Sequence, residues 1–270
     1  VAKAACKLTE LVGGELPFVP CTIAFVAGVH PNGLPAVSPL TVRDTPPYCW
    51  SPPRFRGFAG LVLMDASVLS SDNELELQWE AARQIAEGLT NQVFGVLVSP
   101  EKAVDAWLIK GLASHLAQLV FQELCGVATY RYLIWREIGF VCENDSRSSP
   151  PLSDDSGNAV DSLGDVARRK AGLVVRMLRD RVGHGGFTAA LKRIVSAAVS
   201  DQSVGSKLSF NSFLTILHES AGEVFNRDQS TDFVERWVHG SGCPILGANL
   251  VLKKRPNLSL KFIMMLSRGD

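Results

Sequence analysis

The feature that most limits the fold of this chain is a change of hydrophobic period along it. From Leu75 the apolar residues Leu75, Trp79, Ala82, Ala86, Leu89 and Val93 recur at alternating steps of four and three. That spacing keeps them on one face of an α-helix, and Asp72 or Asn73 stands where an N-cap belongs. After the stop at Pro100, helical patterns follow over Ala106 to Phe121, Thr129 to Glu137, Gly164 to Arg181, Phe187 to Val199, Phe210 to His218 and Ser230 to His239. Near Gly240 the period falls to two. Ile245 to Leu252 and Leu258 to Met264 alternate around Lys253-Lys254-Arg255-Pro256-Asn257, the pattern of a β-hairpin. The expected architecture is mainly α with α+β elements: a helical domain over 1–240, then the first strands of a β module over 241–270. Two stretches interrupt it. The Pro-, Ser- and Thr-rich residues 31–53 follow a strand-like run, Cys21 to Val29, and predict a loop. Residues 145–161, with Pro-Pro and net acidity, predict a mobile surface segment.

Charge and composition then exclude some classes of function. The 27 Lys and Arg balance 27 Asp and Glu over 270 residues, so nothing drives the whole chain onto nucleic acid or an anionic membrane. No apolar run approaches the roughly 18 residues of a membrane helix, which predicts a soluble, intracellular protein with no membrane partner. The chain begins with Val and reads as an excerpt of a longer polypeptide. Cys6, Cys21, Cys49, Cys125, Cys142 and Cys243 form no CxxC pair and predict reduced, mostly buried thiols. No two histidines share the i,i+4 spacing that chelates a metal on one helix. His218-Glu219 begins such a motif, but Gly222 holds the second histidine's place, so His218 reads as an ordinary helix residue. Gly183-His184-Gly185-Gly186 reads as a helix stop. No cofactor is expected.

Four segments, in a fixed order, resemble a known family. Glu87-Gly88-Leu89-Thr90-Asn91-Gln92-Val93-Phe94-Gly95 resembles the HExxHQWFG helix of the gluzincin aminopeptidases, relatives of aminopeptidase N. Trp107-Leu108-Ile109-Lys110-Gly111-Leu112-Ala113 resembles their WLNEGFA helix, at the same distance downstream. Arg168 to Leu178 is similar to their YxKGAxVLRML helix, and Phe233 to Trp237 with Gly242-Cys243-Pro244 to their passage into a β-sandwich. The resemblance implies a thermolysin-like, aminopeptidase N-like domain followed by the start of that sandwich.

The family's chemistry does not carry over. Zinc there needs two imidazoles and a carboxylate, with a second carboxylate as general base. Transferred residue by residue, the first histidine falls on Glu87, the base on Gly88, the second histidine on Asn91 and the third ligand on Lys110; the oxyanion tyrosine falls on Arg168. The strand that binds the substrate amine is replaced by Arg54-Phe55-Arg56-Gly57-Phe58. An ammonium at Lys110 repels a unit charge about 4 Å away by roughly 4 kcal/mol at an effective dielectric near 20, and a dication more strongly. No metal and no peptidase activity are therefore expected. Glu87 and Lys110 offer opposite charges at the vacated positions, so they are expected either to pair across the two helices, with Asn91 bonded alongside, or to stand separately solvated in an open cleft.

Within this fold, the L-K-G of Leu108 to Gly111, Phe94-Gly95 and Tyr130-Arg131-Tyr132-Leu133-Ile134 resemble a family without metal ligands: subunit 2 of the general transcription factor TFIID, a TBP-associated factor. Thr129 stands where that family has Glu. The resemblance implies a nuclear scaffold that joins other TFIID subunits and TBP, supports preinitiation-complex assembly and helps engage core-promoter DNA. The basic clusters Arg168-Arg169-Lys170 and Lys253-Lys254-Arg255 are short and lack interleaved aromatics, so a solvated helix face and edge-strand protection are expected ahead of direct phosphate contact. The alternative function is an inactive aminopeptidase homologue binding acidic peptides or protein partners in a cleft lined by Arg54, Arg56 and Arg168.

Overall fold

The computed structural model describes residues 1–14, 18, 20–26, 55–66, 69, 75–153, 164–200, 206–222, 227–243, 246–250 and 264–268. The loop expected over 31–53 and the triplet Lys253-Lys254-Arg255 lie outside them.

Helix α1 (Ala2–Val12) opens the chain and ends at Gly13, whose left-handed φ of 77° closes the last turn. Strands β1 (Thr22–Val26), β2 (Phe55–Phe58) and β3 (Leu61–Asp65) form a sheet in the order β1-β3-β2. β3 runs parallel to β1, with Ala24 opposite Leu63, and antiparallel to β2, with Gly57 opposite Val62. The turn between β2 and β3 is held to α2 (Leu75–Val93) by Gln92, whose Oε1 accepts from Gly60 N at 3.1 Å and whose amide nitrogen donates to Leu61 O. Gln92 is 2% exposed, so these bonds also satisfy a buried amide.

The 39-residue α3 (Ala106–Asn144) is the spine of the molecule, packing against α1, α2 and α4 (Asp165–Val182). It joins the two helices that periodicity separates. Gly126 sits at φ 86°, ψ 165°, outside helical space, and the helix kinks there. α4 and α3 approach closely because both carry glycine at the crossing. A Cβ on Gly111 would lie 2.8 Å from Ala171 O, and one on Gly172 would lie 2.7 Å from Ser114 Oγ. Helices α5 (His184–Ser200), α6 (Phe210–Ala221) and α7 (Arg227–Trp237) complete the helical part. Asp105, 6% exposed, ties the start of α3 to that of α6: its carboxylate accepts from Phe210 N at 2.9 Å and from Lys102 N. Short strands β4 (Val98–Pro100) and β5 (Ser206–Leu208) pair in parallel beside them.

One core runs through these helices, built from Trp107, Leu108, Ile109, Leu112, Val174, Val175, Phe187, Phe213 and Phe233 among others. The largest stretch of expected helix is thus present, and the fold is mainly α. The expected hairpin exists as β6 (Leu246–Leu250) and β7 (Met264–Arg268), paired antiparallel with Leu250 opposite Met264. Of the expected second strand, Leu258 to Met264, only Met264 falls among the described residues, at the start of β7.

Of the expected surface segment 145–161, residues 154–161 lie outside the described residues; within 145–153, Asp145 and Leu152 are buried and Ser153 N donates to Val238 O. One expectation is corrected. The thiols described are free, but not mostly buried. Cys6 and Cys142 are exposed, whereas Cys21, Cys125 and Cys243 are half-buried. Burial, followed by a hydrogen bond with Cys142, pushes the Cys243 thiol up to about 11. Among the described residues no helix is long and apolar enough to cross a membrane.

Candidate functional site

The segments that resemble the enzyme's zinc helices come together between α2, both halves of α3, and α4. A cavity there is lined by Arg83 and Glu87 from α2, Ser114 and Gln118 from the first half of α3, Glu137 from the second, and Arg168 and Arg169 from α4. Its free volume is about 10 Å³, room for about one water molecule. Of the transferred positions, two meet in it: Glu87 Oε2 stands 3.8 Å from Arg168 Nη1.

Glu87 does not pair with Lys110. Its Oε1 accepts from Arg83 Nη1 at 2.5 Å, one turn earlier on the same helix. The expected Glu87–Lys110 bridge is therefore replaced by Arg83 and Arg168. The reason is local: Glu80, Arg83 and Glu87 follow i,i+3 and i,i+4 spacing, so a guanidinium is already in reach before the second helix arrives. Arg83 is 5% exposed and forks onto Glu80, with Nη2 at 2.6 Å and Nε at 3.0 Å from its two oxygens. Burial alone would lower the Arg83 pKa; the Glu80 and Glu87 carboxylates outweigh it and hold the group protonated.

The α4 residues continue the network. Arg168 Nη2 bonds Asp165 Oδ1 in the first turn of α4. Arg169 Nε donates to Asp165 Oδ2 and its Nη1 to Glu137 Oε1, both at 3.0 Å. Arg169 also lies over the Phe140 ring, 4.3 Å from its centroid. Burial raises the Glu137 pKa, against the opposing pull of Arg169, Arg83 and Arg168. Asp165 goes the other way: burial would raise it, but Arg168 and Arg169 bring it below the usual aspartate value. Lys170 turns to the far side of α4 and pairs with Asp145 at 2.8 Å, with side-chain exposures of 5% and 2%.

These contacts overturn the expectation of a solvated basic face at Arg168-Arg169-Lys170. Arg169 and Lys170 are each 4% exposed and face carboxylates inside the protein, out of reach of a phosphate backbone. Arg168 is largely buried between Glu87 and Asp165.

The remaining transferred positions turn away from a metal. Gly88 is buried, and a Cβ there would come within 2.9 Å of Val62 Cγ1 on β3, so the place of the general base has no room for a side chain. The Asn91 amide lies against the backbones of Gly57 and Gly95, which have no side chain to displace it. Lys110 is half-buried and outside the cavity lining. Arg54, and the side chain of Arg56, lie outside the described residues. A zinc ion would need Glu87 to leave a guanidinium, with no imidazole beside it. Among the described residues no three His, Cys, Asp or Glu side chains gather in a metal-binding group. The donor set present does not fit zinc.

Sequence reasoning missed Arg83, Glu137, Asp165 and Asp145. Helical spacing could have found Glu80–Arg83–Glu87 and Asp165–Arg168–Arg169; it could not have found Glu137 or Asp145, which meet α4 only through packing.

The chain is 26% identical over 188 residues to transcription initiation factor TFIID subunit 2 of Schizosaccharomyces pombe, covering 68% of this chain and 16% of that protein. It is 24% identical over 201 residues to TFIID subunit 2 of Saccharomyces cerevisiae, covering 73% and 14%. The chain thus spans about one sixth of the length of the curated relatives it matches. No family model matches it. Among solved structures it is similar to an M1 zinc metallopeptidase from Deinococcus radiodurans, crystallised with a Tyr-Ser-Ala substrate. The TM-score is 0.61 at 19% identity, over 90% of this chain and 45% of that one. The fold is that of an M1 aminopeptidase, and the sequence resembles TFIID subunit 2.

Proposed function

We propose that this chain is part of a non-catalytic scaffold subunit of TFIID, derived from an aminopeptidase fold whose metal centre has become an internal ion network. Its partners are other TFIID subunits, the TBP-associated factors and TBP. Its place is the nucleus, and its role is to support preinitiation-complex assembly and core-promoter recognition, with DNA engaged mainly through the complex. The helical region over 1–240 serves as the body, and 241–270 begins a β-sandwich.

The observation that carries this reading is the occupation of the catalytic corner by Arg83, Glu87 and Arg168. An enzyme needs charge stabilisation held ready for a reacting group. Here each cavity arginine already faces a carboxylate of its own chain, so the centre joins three helices instead of waiting for substrate. A peptide bound in the cleft has to compete with those carboxylates.

Affinity purification of the full-length protein from nuclear extract, followed by mass spectrometry of the native complex, tests the proposal. TFIID subunits in stoichiometric amounts are the expected result. A chain that purifies without them, or that releases amino acids from peptides, contradicts it.

A further inference from the structure

The end of α3 and the passage from α7 toward β6 lie against each other, and each carries a cysteine. Cys142 is on the last turn of α3, and Cys243 comes three residues before β6. The two segments meet through their backbones: a Cβ on Gly242 would come within 3.2 Å of Arg147 N and of the Ser146 carbonyl carbon. Lys170 spans the same junction, pairing with Asp145 at 2.8 Å while its Nζ donates to Gly240 O at 3.4 Å. Ser153 N adds a further tie by donating to Val238 O.

Within this junction the two thiols are hydrogen-bonded to each other, although they stand 101 residues apart in sequence. Both are free. Cys142 is exposed and Cys243 half-buried, so an oxidant from solution reaches the Cys142 sulfur first. Burial, then the bond to Cys142 and the Asp145 carboxylate, keeps Cys243 protonated at neutral pH against the opposing pull of Lys170. The thiolate is the reactive form of cysteine, so this too leaves the first encounter with an oxidant to Cys142. The fold thus holds an accessible sulfur beside a sheltered one, across a joint that several other bonds already keep in register.

We propose that Cys142 and Cys243 form a reversible disulfide that covalently fastens the end of α3 to the passage into β6. With hydrogen peroxide as oxidant, the Cys142 thiolate attacks one peroxide oxygen, the O–O bond breaks, and one water leaves behind a sulfenic acid on Cys142. Cys243, giving up its proton, then attacks the Cys142 sulfur, forms the S–S bond and displaces the hydroxyl group as a second water. Two thiols lose two electrons, and one peroxide is reduced to two waters. A thiol reductant reopens the bond by exchange. In a reducing compartment the thiols stay free, as they are here, so the bond is a response to oxidant and not a permanent staple. A metal fits less well: among the described residues no three His, Cys, Asp or Glu side chains gather in a metal-binding group, and Asp145 is held by Lys170. The inference stands independently of which assembly the protein serves.

Peptide mapping under non-reducing conditions tests it. The full-length protein is treated with stoichiometric hydrogen peroxide, its remaining thiols are alkylated, and the digest is read by mass spectrometry. The expected product is a linked Cys142–Cys243 peptide that dithiothreitol removes. Because the fold holds these two sulfurs together, that link should exceed any link to Cys6, Cys21 or Cys125 by at least about 10-fold. The same treatment in urea should abolish the preference, since closing so long a loop is unfavourable in an unfolded chain. Cys243→Ser should leave Cys142 as a sulfenic acid that dimedone traps, and Cys142→Ser should leave Cys243 reduced. Overoxidation of Cys142 in the unaltered protein without the linked peptide, equal linkage to the other cysteines, a preference that persists in urea, or oxidation of Cys243 in Cys142→Ser overturns the proposal.

Discussion

Lys170 belongs to a run of three cations that reads as surface, yet it is buried against Asp145, and its removal is correspondingly expected to be costly. Lys170→Met keeps the length of the side chain and leaves the Asp145 carboxylate 2% exposed with its ammonium gone. Two opposite unit charges about 4 Å apart attract by roughly 4 kcal/mol at an effective dielectric near 20. That agrees with the approximately 3–5 kcal/mol lost when one partner of a buried pair is deleted. In a protein of this size the loss corresponds to a fall in Tm of roughly 6–20 °C. Urea denaturation of Lys170→Met, Asp145→Asn and the double variant forms the appropriate cycle. The double variant should lose at least about 2 kcal/mol less than the sum of the single ones, because the second change removes the stranded charge. A single-variant cost below about 1 kcal/mol, or simple additivity, refutes the buried pair. A phosphate contact has a different signature: its loss lowers the salt slope of DNA binding by about 1, which Lys170→Met should leave unchanged.

Two further expectations follow from the same packing. His115 is fully buried, edge-on to Phe187 at 5.8 Å, and burial, then Arg179, lowers its pKa to about 3. The folded state therefore keeps it neutral while the unfolded chain protonates below about 6.5. Its contribution is complete above that pH and is lost as pH falls toward 3, by up to about 5 kcal/mol. His115→Leu should flatten the fall in urea midpoint over that window, and an unchanged slope contradicts the assignment. At the α3–α4 crossing, Gly111→Ala gains helix propensity of about 1 kcal/mol but drives a methyl to 2.8 Å from Ala171 O. A net destabilisation of about 1–3 kcal/mol is expected in thermal melts; stabilisation would mean the helices can part without cost.

Much of the fold was legible because periodicity reports which face of a helix is buried, and α2, α4 and α5 obey it over several turns. Periodicity also broke between Phe121 and Thr129, the interval that holds Gly126; it did not show that the helix resumes directly after the kink and runs on to Asn144. At the site, two of the positions transferred from the motifs, Glu87 and Arg168, meet 3.8 Å apart. What spacing could not supply was depth. Arg169 and Lys170 look like solvated charges in any one-dimensional reading, and their partners Glu137 and Asp145 lie 32 and 25 residues earlier in the sequence, on or just after the second half of α3. Lys110 failed as Glu87's partner because a residue one turn away, Arg83, reaches the carboxylate first.

Titration calorimetry of zinc into the purified, chelator-treated protein addresses the central claim most directly. No saturable one-to-one binding is expected, because Glu87 is engaged by Arg83 and faces Arg168 with no imidazole beside it. Stoichiometric zinc binding that disappears in Glu87→Ala would show that the metal centre survives, and would contradict its replacement by the ion network.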